Sequence, residues 1–396
     1  MYIGVISEEK DLRIRKLVLN GFRSYSHAEF TPGPGLNLLY GANAAGKTNV
    51  LEAVFLCALG KSHRTSRDAE LIGRGLSGAY VGMELETKNG VRMIEIKLRA
   101  GDDVARNPRD KKQVFIDRQR ADKAGELMGV LNVVMFSPED LALVKASPDV
   151  RRRFMDMELC QLYPAYFQKA AMYNAALRQR NALIKEAFND PIDPEVLDMW
   201  NVQLARTGAE VMRSRLGFMD EISTIASDMH RRLTGGREQL FTFYEPNVPF
   251  DAGEAEYAIY DALAASQEDD IRRGFTTRGP HRDDIGIKLG DTDVKVYGSQ
   301  GQQRTAALSL KLSELALIRG VVGESPVLLL DDVLSELDDD RQKALMSSAF
   351  DCQCLLTATG AESAAARKAS AVFEVKDGQI IKTNGQQSTV NGLNQK

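Results

Sequence analysis

The chain has 396 residues, 43% of them hydrophobic, with 51 Lys and Arg against 55 Asp and Glu for a net charge of −4. At roughly 100 to 200 residues per domain this predicts two or three domains with a large buried core, and it excludes a disordered, fibrous or disulfide-stapled chain. The acidic balance also excludes a generally basic coat for nucleic acid, so any such binding must be local or gated. No apolar run approaches the roughly 18 residues that span a bilayer. Glu8, Glu9, Lys10 and Asp11 stand where a signal peptide needs its apolar core. No membrane partner and a cytoplasmic location are expected. Cys57, Cys160, Cys352 and Cys354 form no C-x-x-C pair and accompany only 4 histidines, which speaks against a zinc site or a disulfide framework.

In chain order, the pattern from Leu12 to Leu19 and the turn at Pro32–Gly35 predict a hairpin leading into a buried strand, Leu36–Tyr40. Val50, Val54 and Ala58, with Leu51, Phe55 and Leu59 beside them, predict a helix with a broad apolar face. Tyr80–Arg99 reads as two strands around Asn89-Gly90, and Val114–Ile116 and Val130–Phe136 as further buried segments. From about Pro138 to Phe275 the chain is rich in Ala, Leu, Met, Arg and Glu and reads as helical. One helix is expected from Glu195 to Thr234, weakened by Gly208 and Gly217; a packed lobe is the favoured reading over a projecting arm. Strand signals return after Phe275, with Val327–Leu330 and Cys354–Thr357 as apolar strands. The expected domains are therefore a discontinuous α/β unit, 1–138 and 276–383, a helical insertion, 139–275, and a disordered tail, 384–396.

Gly41-Ala42-Asn43-Ala44-Ala45-Gly46-Lys47-Thr48 fits G-x-x-x-x-G-K-[ST] between a strand and a helix. In that loop backbone amides cradle phosphates, the lysine reaches the β- and γ-phosphates, and the threonine ligates Mg²⁺. Val327–Leu330 runs into Asp331 and Asp332, which suits a carboxylate that holds Mg²⁺ followed by one that polarises water. Ser299-Gln300-Gly301-Gln302 opens a helical pattern, and Ser335-Glu-Leu-Asp338 follows the Asp pair. Taken alone, the serine-glycine segment is a capped helix. In this order the motifs resemble the signature, Walker B and D-loop of the ATP-binding cassette superfamily. That resemblance implies a P-loop NTPase in which Ser299, Gly301 and Gln302 contact the γ-phosphate on a second copy, with Ser335 and Asp338 in the D-loop.

Asn20-Gly-Phe22-Arg23-Ser24-Tyr25, Gly60-Lys-Ser62-His63-Arg64-Thr65, Pro138-Glu-Asp140, Arg151-Arg152-Arg153-Phe-Met-Asp156 and Arg278-Gly-Pro-His281-Arg282-Asp283 narrow the match. Together they resemble the RecF family, whose ATPase head is similar to Rad50 and SMC heads and carries a short helical second domain. The resemblance implies an ATP- and Mg²⁺-dependent homodimer that binds single-stranded and gapped duplex DNA in recombinational repair and replication restart. It implies action with RecO and RecR to load RecA, support of the SOS response, and a place at the bacterial nucleoid.

It assigns Lys47 and Thr48 to phosphate and metal, Asp331 to the metal, and Asp332 to the attacking water. Related heads usually have Glu at position 332; the shorter Asp predicts slow hydrolysis, so that ATP acts as a timer. Arg23 is expected at the nucleotide phosphates or in a structural ion pair, and Ser62, His63 and Arg64 near the base or ribose. The Gln and His that other cassette ATPases carry near Ser137 and Thr359 are missing, which leaves the γ-phosphate sensor unassigned. Arg151, Arg152, Arg153, Arg178 and Arg180, with Arg231 and Arg232, are the candidate DNA contacts. His281 reads as a hydrogen-bonded turn residue. The rivals are the energy module of a transporter, disfavoured by the long separation of Thr48 from Ser299, and an SMC-like structural ATPase. For the latter, an insertion of this size folded into two arms reaches at most about 100 Å, which is too short. A nuclease of the same class would need a further metal domain, for which the chain has no room.

Overall fold

A computed structural model of the chain describes residues 12–100, 111–140, 143–186, 191–251, 253–349, 351–360 and 366–383. The expected disordered tail, 384–396, lies outside them. The chain divides into two compact units, one reaching Pro138 and resuming at Ile318, the other Glu139–Leu317.

The first unit is built on two sheets. Five parallel strands, in the order Ala371–Lys376, Leu36–Tyr40, Cys354–Ala358, Val327–Leu330 and Val133–Phe136, are extended at one edge by the antiparallel strand Gln379–Thr383. Their inner members are buried almost without interruption, which is why they read as continuous apolar runs in the sequence. The second sheet is antiparallel, in the order Tyr25–Phe30, Arg13–Phe22, Gly78–Thr87, Gly90–Arg99, Lys112–Ile116 and Gln119–Arg120. Its strands alternate: Leu17 and Leu19, Val81, Met83 and Leu85, and Ile94, Ile96 and Leu98 turn to the core. The expected hairpin closes with Thr87 opposite Gly90, whose φ of 112° is the left-handed conformation that favours glycine.

Helix Lys47–Leu59 packs against strands of both sheets. The sequence predicts one broad apolar face; the helix is instead buried nearly all round, because it has a sheet on each side. Gln353 ties the layers further: its Oε1 accepts from Ile14 N at 2.7 Å while its Nε2 donates to Ile14 O and Gly33 O at 3.0 and 2.8 Å.

The second unit is helical, with a three-stranded sheet, Thr292–Asp293, Asp284–Leu289 and Leu240–Glu245 in that order. Residues 276–317, which the sequence reading assigned to the ATPase head, group with this unit. Asp284–Leu289 pairs antiparallel along the whole of Leu240–Glu245, so the strand signals after Phe275 complete a small sheet here before the parallel sheet is rejoined.

Helix Pro194–Thr234 runs unbroken for 41 residues, roughly 60 Å. Asp193 caps its start by accepting from Glu195 N, and Gly235, left-handed at φ 62°, closes its end. It packs against Ala165–Glu186, Ala255–Ala265 and Leu240–Glu245, as a packed lobe requires. Gly208 has a reason to be glycine, since a Cβ there would meet Ile259 at 3.1 Å and Tyr173 at 3.2 Å. His281 sits in the turn Pro280–Arg282, hydrogen-bonded to Tyr173 and to the Thr276 carbonyl, and burial lowers its pKa to about 4.

Buried charge clusters help to hold this unit, two of them around Arg180 and Glu158. Arg180, fully buried, donates to Asp270, Thr276 and Asn201 at 2.7, 2.8 and 2.8 Å. Glu158 hydrogen-bonds Glu314, which accepts from Lys311 at 2.8 Å; all three are buried. Two carboxyls facing one ammonium leave a proton to be shared. Burial pushes Glu158 up to about 7, with the Asp140 charge adding to it and Lys311, Glu314 and Gln161 opposing.

Removing Arg180 as Arg180→Ala strands the Asp270 charge in the core and is expected to cost about 3–5 kcal/mol in urea unfolding. Glu158 holds its proton in the folded chain to a higher pH than in the unfolded one, so its contribution is lost as pH rises through about 7. Glu158→Gln stays neutral throughout. Its unfolding midpoint should draw level with the wild type in acid, gain on it as pH rises toward about 7 and keep a constant lead above that; a pH-independent difference would contradict the shared proton.

Candidate nucleotide-binding site

The loop Gly41–Gly46 leaves the parallel sheet at Tyr40 and enters helix Lys47–Leu59 at its N-terminal end, where unpaired amides and the helix dipole favour an anion. Its shape demands small residues. A Cβ on Gly41 would lie 2.3 Å from the Val375 carbonyl oxygen, and one on Gly46, at φ 112°, would lie 2.9 Å from both Ser24 Oγ and Tyr25 Oη. Ala44 is left-handed at φ 63°, a conformation costing an alanine about 1–2 kcal/mol, held by the turn in which Ala45 N donates to Ala42 O at 3.2 Å. Tyr25 Oη donates to Gly46 O at 3.0 Å, fixing the loop from the hairpin side. Asn43 is exposed at the loop's crest. Lys47 is buried to 4% exposure, and its Nζ donates to Gly41 O and Ala42 O at 2.8 and 3.0 Å, folded back across the loop.

Thr48 Oγ1 donates to Asp331 Oδ1 at 2.9 Å, bringing the helix start to the end of the strand Val327–Leu330. Thr357, which sequence reasoning missed, completes this centre. Its Oγ1 donates to the same Asp331 Oδ1 at 2.9 Å and accepts from Asp332 N at 2.9 Å. The signal was its place at the end of Cys354–Ala358, parallel neighbour of the Asp331 strand and close to where the missing His was sought; a lone threonine in an apolar strand carries no motif.

Asp332 is left-handed at φ 49°, and Ser335 Oγ donates to its carbonyl at 2.8 Å. Asp tolerates that backbone better than most residues, which gives the short side chain at this position a local cause. Burial raises the Asp332 pKa, the Asp331 charge adds to this, and Lys47 and Thr357 oppose it. Asp338, exposed, pairs with Arg341 of the next helix.

Arg23 forms a forked ion pair with the fully buried Glu52 at 2.8 and 2.6 Å and donates to Glu70 O at 2.7 Å. Of its two expected roles, the structure holds the ion pair. Ser62 also donates to Glu52 and Arg64 lies 3.7 Å from it, while the His63 ring packs edge-on against Phe55. Burial acts to raise the Glu52 pKa, but these hydrogen bonds and charges outweigh it and the net shift is downward.

In the second unit, Ser299 precedes helix Gln300–Val322. Ser299 N donates to Gln302 Oε1 at 2.9 Å and Gln302 N donates back to Ser299 Oγ at 3.2 Å. This is a reciprocal capping box, with Ser299 exposed and Gly301 half-buried. The candidate DNA contacts separate into two kinds. Arg151 is 3% exposed and bound to Asp284 and to the carbonyls of Leu143, Val144 and Ala146; Arg180 is consumed by Asp270. Neither reaches a ligand, and both are corrected to internal anchors: their carboxylate partners, distant in sequence, are what the basic clusters concealed. Arg152 is half-buried and donates to Asp283 O at 2.6 Å, whereas Arg153, Arg178, Arg231 and Arg232 are exposed.

No described helix is long and apolar enough to cross a membrane. Residues 13–381 match the model of the RecF/RecN/SMC N-terminal domain. The chain is 40% identical over 376 residues to the DNA replication and repair protein RecF of Lachnospira eligens, covering 94% of this chain and 99% of that one. It is 42% identical over 373 residues to the protein of the same name from Alkaliphilus oremlandii, covering 93% and 99%. Among solved structures, the recombination mediator protein RecF with ATP, of the RecFOR pathway, superposes with a TM-score of 0.88 at 29% identity over 96% of this chain and all of that one. An SMC head from Pyrococcus furiosus shares the fold at a TM-score of 0.53 and 16% identity, covering 94% and 96%. The loop, the Asp pair and the helical insertion thus lie within matches that span nearly the whole chain, and the chain belongs to the RecF family.

Proposed function

We propose that this chain is an ATP-gated DNA-binding protein of recombinational repair and replication restart. ATP lies on the amides of Gly41–Gly46, and Lys47 exchanges the carbonyls of Gly41 and Ala42 for the β- and γ-phosphates. Two copies close head to tail, so that Ser299, Gly301 and Gln302 of one reach the γ-phosphate on the other and Ser335 and Asp338 lie along the same seam. The closed pair clamps DNA at a single-stranded gap or a junction with duplex, through exposed arginines such as Arg153 and Arg178. With RecO and RecR it favours RecA loading and supports the SOS response, in the bacterial cytoplasm at the nucleoid. The observation that carries this reading is the Thr48–Asp331–Thr357 centre beside a phosphate loop, in a chain that matches a RecF relative over 94% of its own length and 99% of the relative's.

The residues fit Mg²⁺. Thr48 gives its hydrogen to Asp331, which leaves oxygen lone pairs for a cation, and hydroxyl and carboxylate are the hard donors Mg²⁺ prefers. Bound there, the ion offsets charge on the phosphates. Thr357 keeps Asp331 oriented and pins the Asp332 backbone. Asp332 accepts a hydrogen bond from the attacking water and polarises it. Burial strengthens it as a base, since its raised pKa makes the carboxylate hold a proton more tightly. One methylene shorter than Glu, it reaches less far toward the water, and a misplacement of about 1 Å costs about 10²-fold. Hydrolysis is therefore slow, DNA stimulates it, and it resets the clamp.

Lys47→Ala should abolish binding of a fluorescent ATP analogue; unchanged affinity would refute the loop assignment. Wild-type turnover is expected below about 1 s⁻¹, the lower end for enzymes, and should fall on acidification with a midpoint above the ordinary aspartate value. Asp332→Asn should keep ATP binding, lose about 10²-fold or more in hydrolysis and accumulate the ATP dimer in light scattering. A variant that turns over normally would remove Asp332 from the chemistry.

A further inference from the structure

The capping box at Ser299 depends on one unmarked choice. A glutamine side chain has an oxygen end that accepts and a nitrogen end that donates, and rotating the carboxamide by half a turn exchanges them. Only with Oε1 toward Ser299 N does Gln302 complete the box; reversed, two donors face each other. Within the box itself nothing holds the nitrogen end of the carboxamide.

Glu238 does. It lies three residues past Gly235, which ends the long helix, and its Oε1 accepts from Gln302 Nε2 at 2.9 Å. A carboxylate accepts and does not donate, so it takes only the nitrogen end of the carboxamide and turns the oxygen end to Ser299. The other carboxylate oxygen lies 3.4 Å from Nε2 of His230, buried in the last turn of the long helix. His230 Nδ1 in turn lies 3.0 Å from Ser309 Oγ, further along the helix that Ser299 opens. Glu238 is thus held between the end of one helix and the start of another, all within the second unit. No motif contains it.

We infer that Glu238 is a positioning residue for the signature: by fixing the Gln302 carboxamide it orients Ser299 toward the nucleotide on a second copy. This rests on the reading that Ser299 acts in trans. The full-length protein is compared with Glu238→Ala, Glu238→Gln and Ser299→Arg by three readouts: ATP-induced self-association in sedimentation, affinity of the single chain for a fluorescent ATP analogue, and thermal unfolding.

Glu238→Ala is expected to weaken ATP-induced dimerisation about tenfold, the scale of one hydrogen bond to a charged group, with ATP affinity and unfolding unchanged. Glu238→Gln is expected to recover it only in part, because its carboxamide can present Oε1 to Gln302 Nε2 or, turned round, donate to Gln302 Oε1. Ser299→Arg is expected to abolish dimerisation. If Ser299→Arg abolishes the dimer while Glu238→Ala dimerises like wild type, the positioning role is overturned and the trans reading stands. A Glu238→Gln variant that dimerises fully like wild type overturns the acceptor-only selection of the carboxamide, and a Ser299→Arg variant that dimerises normally overturns both readings.

Discussion

One carboxylate oxygen, Asp331 Oδ1, accepts from Thr48 at the start of a helix and from Thr357 at the end of a neighbouring strand. The first of those bonds joins residues 283 positions apart, and the two together set the centre of the site. Because both threonines give their hydrogens to the same oxygen, Asp331 is held from two elements at once, and in the proposed reading Thr48 keeps its lone pairs for a cation. Through Asp332 N the same threonine supports a left-handed aspartate that few other side chains would tolerate as cheaply.

The surrounding architecture exists to make that arrangement rigid. Helix Lys47–Leu59 lies between two sheets and is apolar on nearly every side, so it has no freedom to roll, and its first turn delivers Lys47 and Thr48 to one place. The parallel register of Cys354–Ala358 on both Leu36–Tyr40 and Val327–Leu330 brings the phosphate loop, the Asp pair and Thr357 to the same end of the sheet. Ligands of open α/β sheets gather at that end, outside the carboxyl ends of the strands. In the second unit buried ions add to the apolar core: Arg180, Arg151 and the Glu158–Lys311–Glu314 cluster tie its helices and small sheet together.

The legible parts of the molecule were those whose chemistry is local. Gly41–Thr48 and Asp331-Asp332 declare themselves because contiguous residues do the work, and Val327–Leu330 because a strand buried on both faces is apolar throughout. Illegible parts depended on partners distant in sequence. Arg151 and Arg180 look like free basic residues until Asp284 and Asp270 are placed beside them. Thr357 and Glu238 belong to no motif, and each acts through one side chain that only the fold brings near. The second boundary was misread for a similar reason: strand propensity after Phe275 does not say which sheet a strand joins, and pairing with Leu240–Glu245 placed it in the helical unit.

In the reading proposed for this chain, nucleotide and DNA are coupled by closure of two copies. That coupling is tested most directly by the fluorescence anisotropy of a labelled gapped duplex titrated with the protein, with and without Mg-ATP, at two salt concentrations. The account predicts tight binding only with ATP, weakening steeply with salt as phosphate contacts release counterions, and absent in Ser299→Arg. Equal affinity without nucleotide, or in that variant, would place the DNA site on the single chain and contradict the clamp.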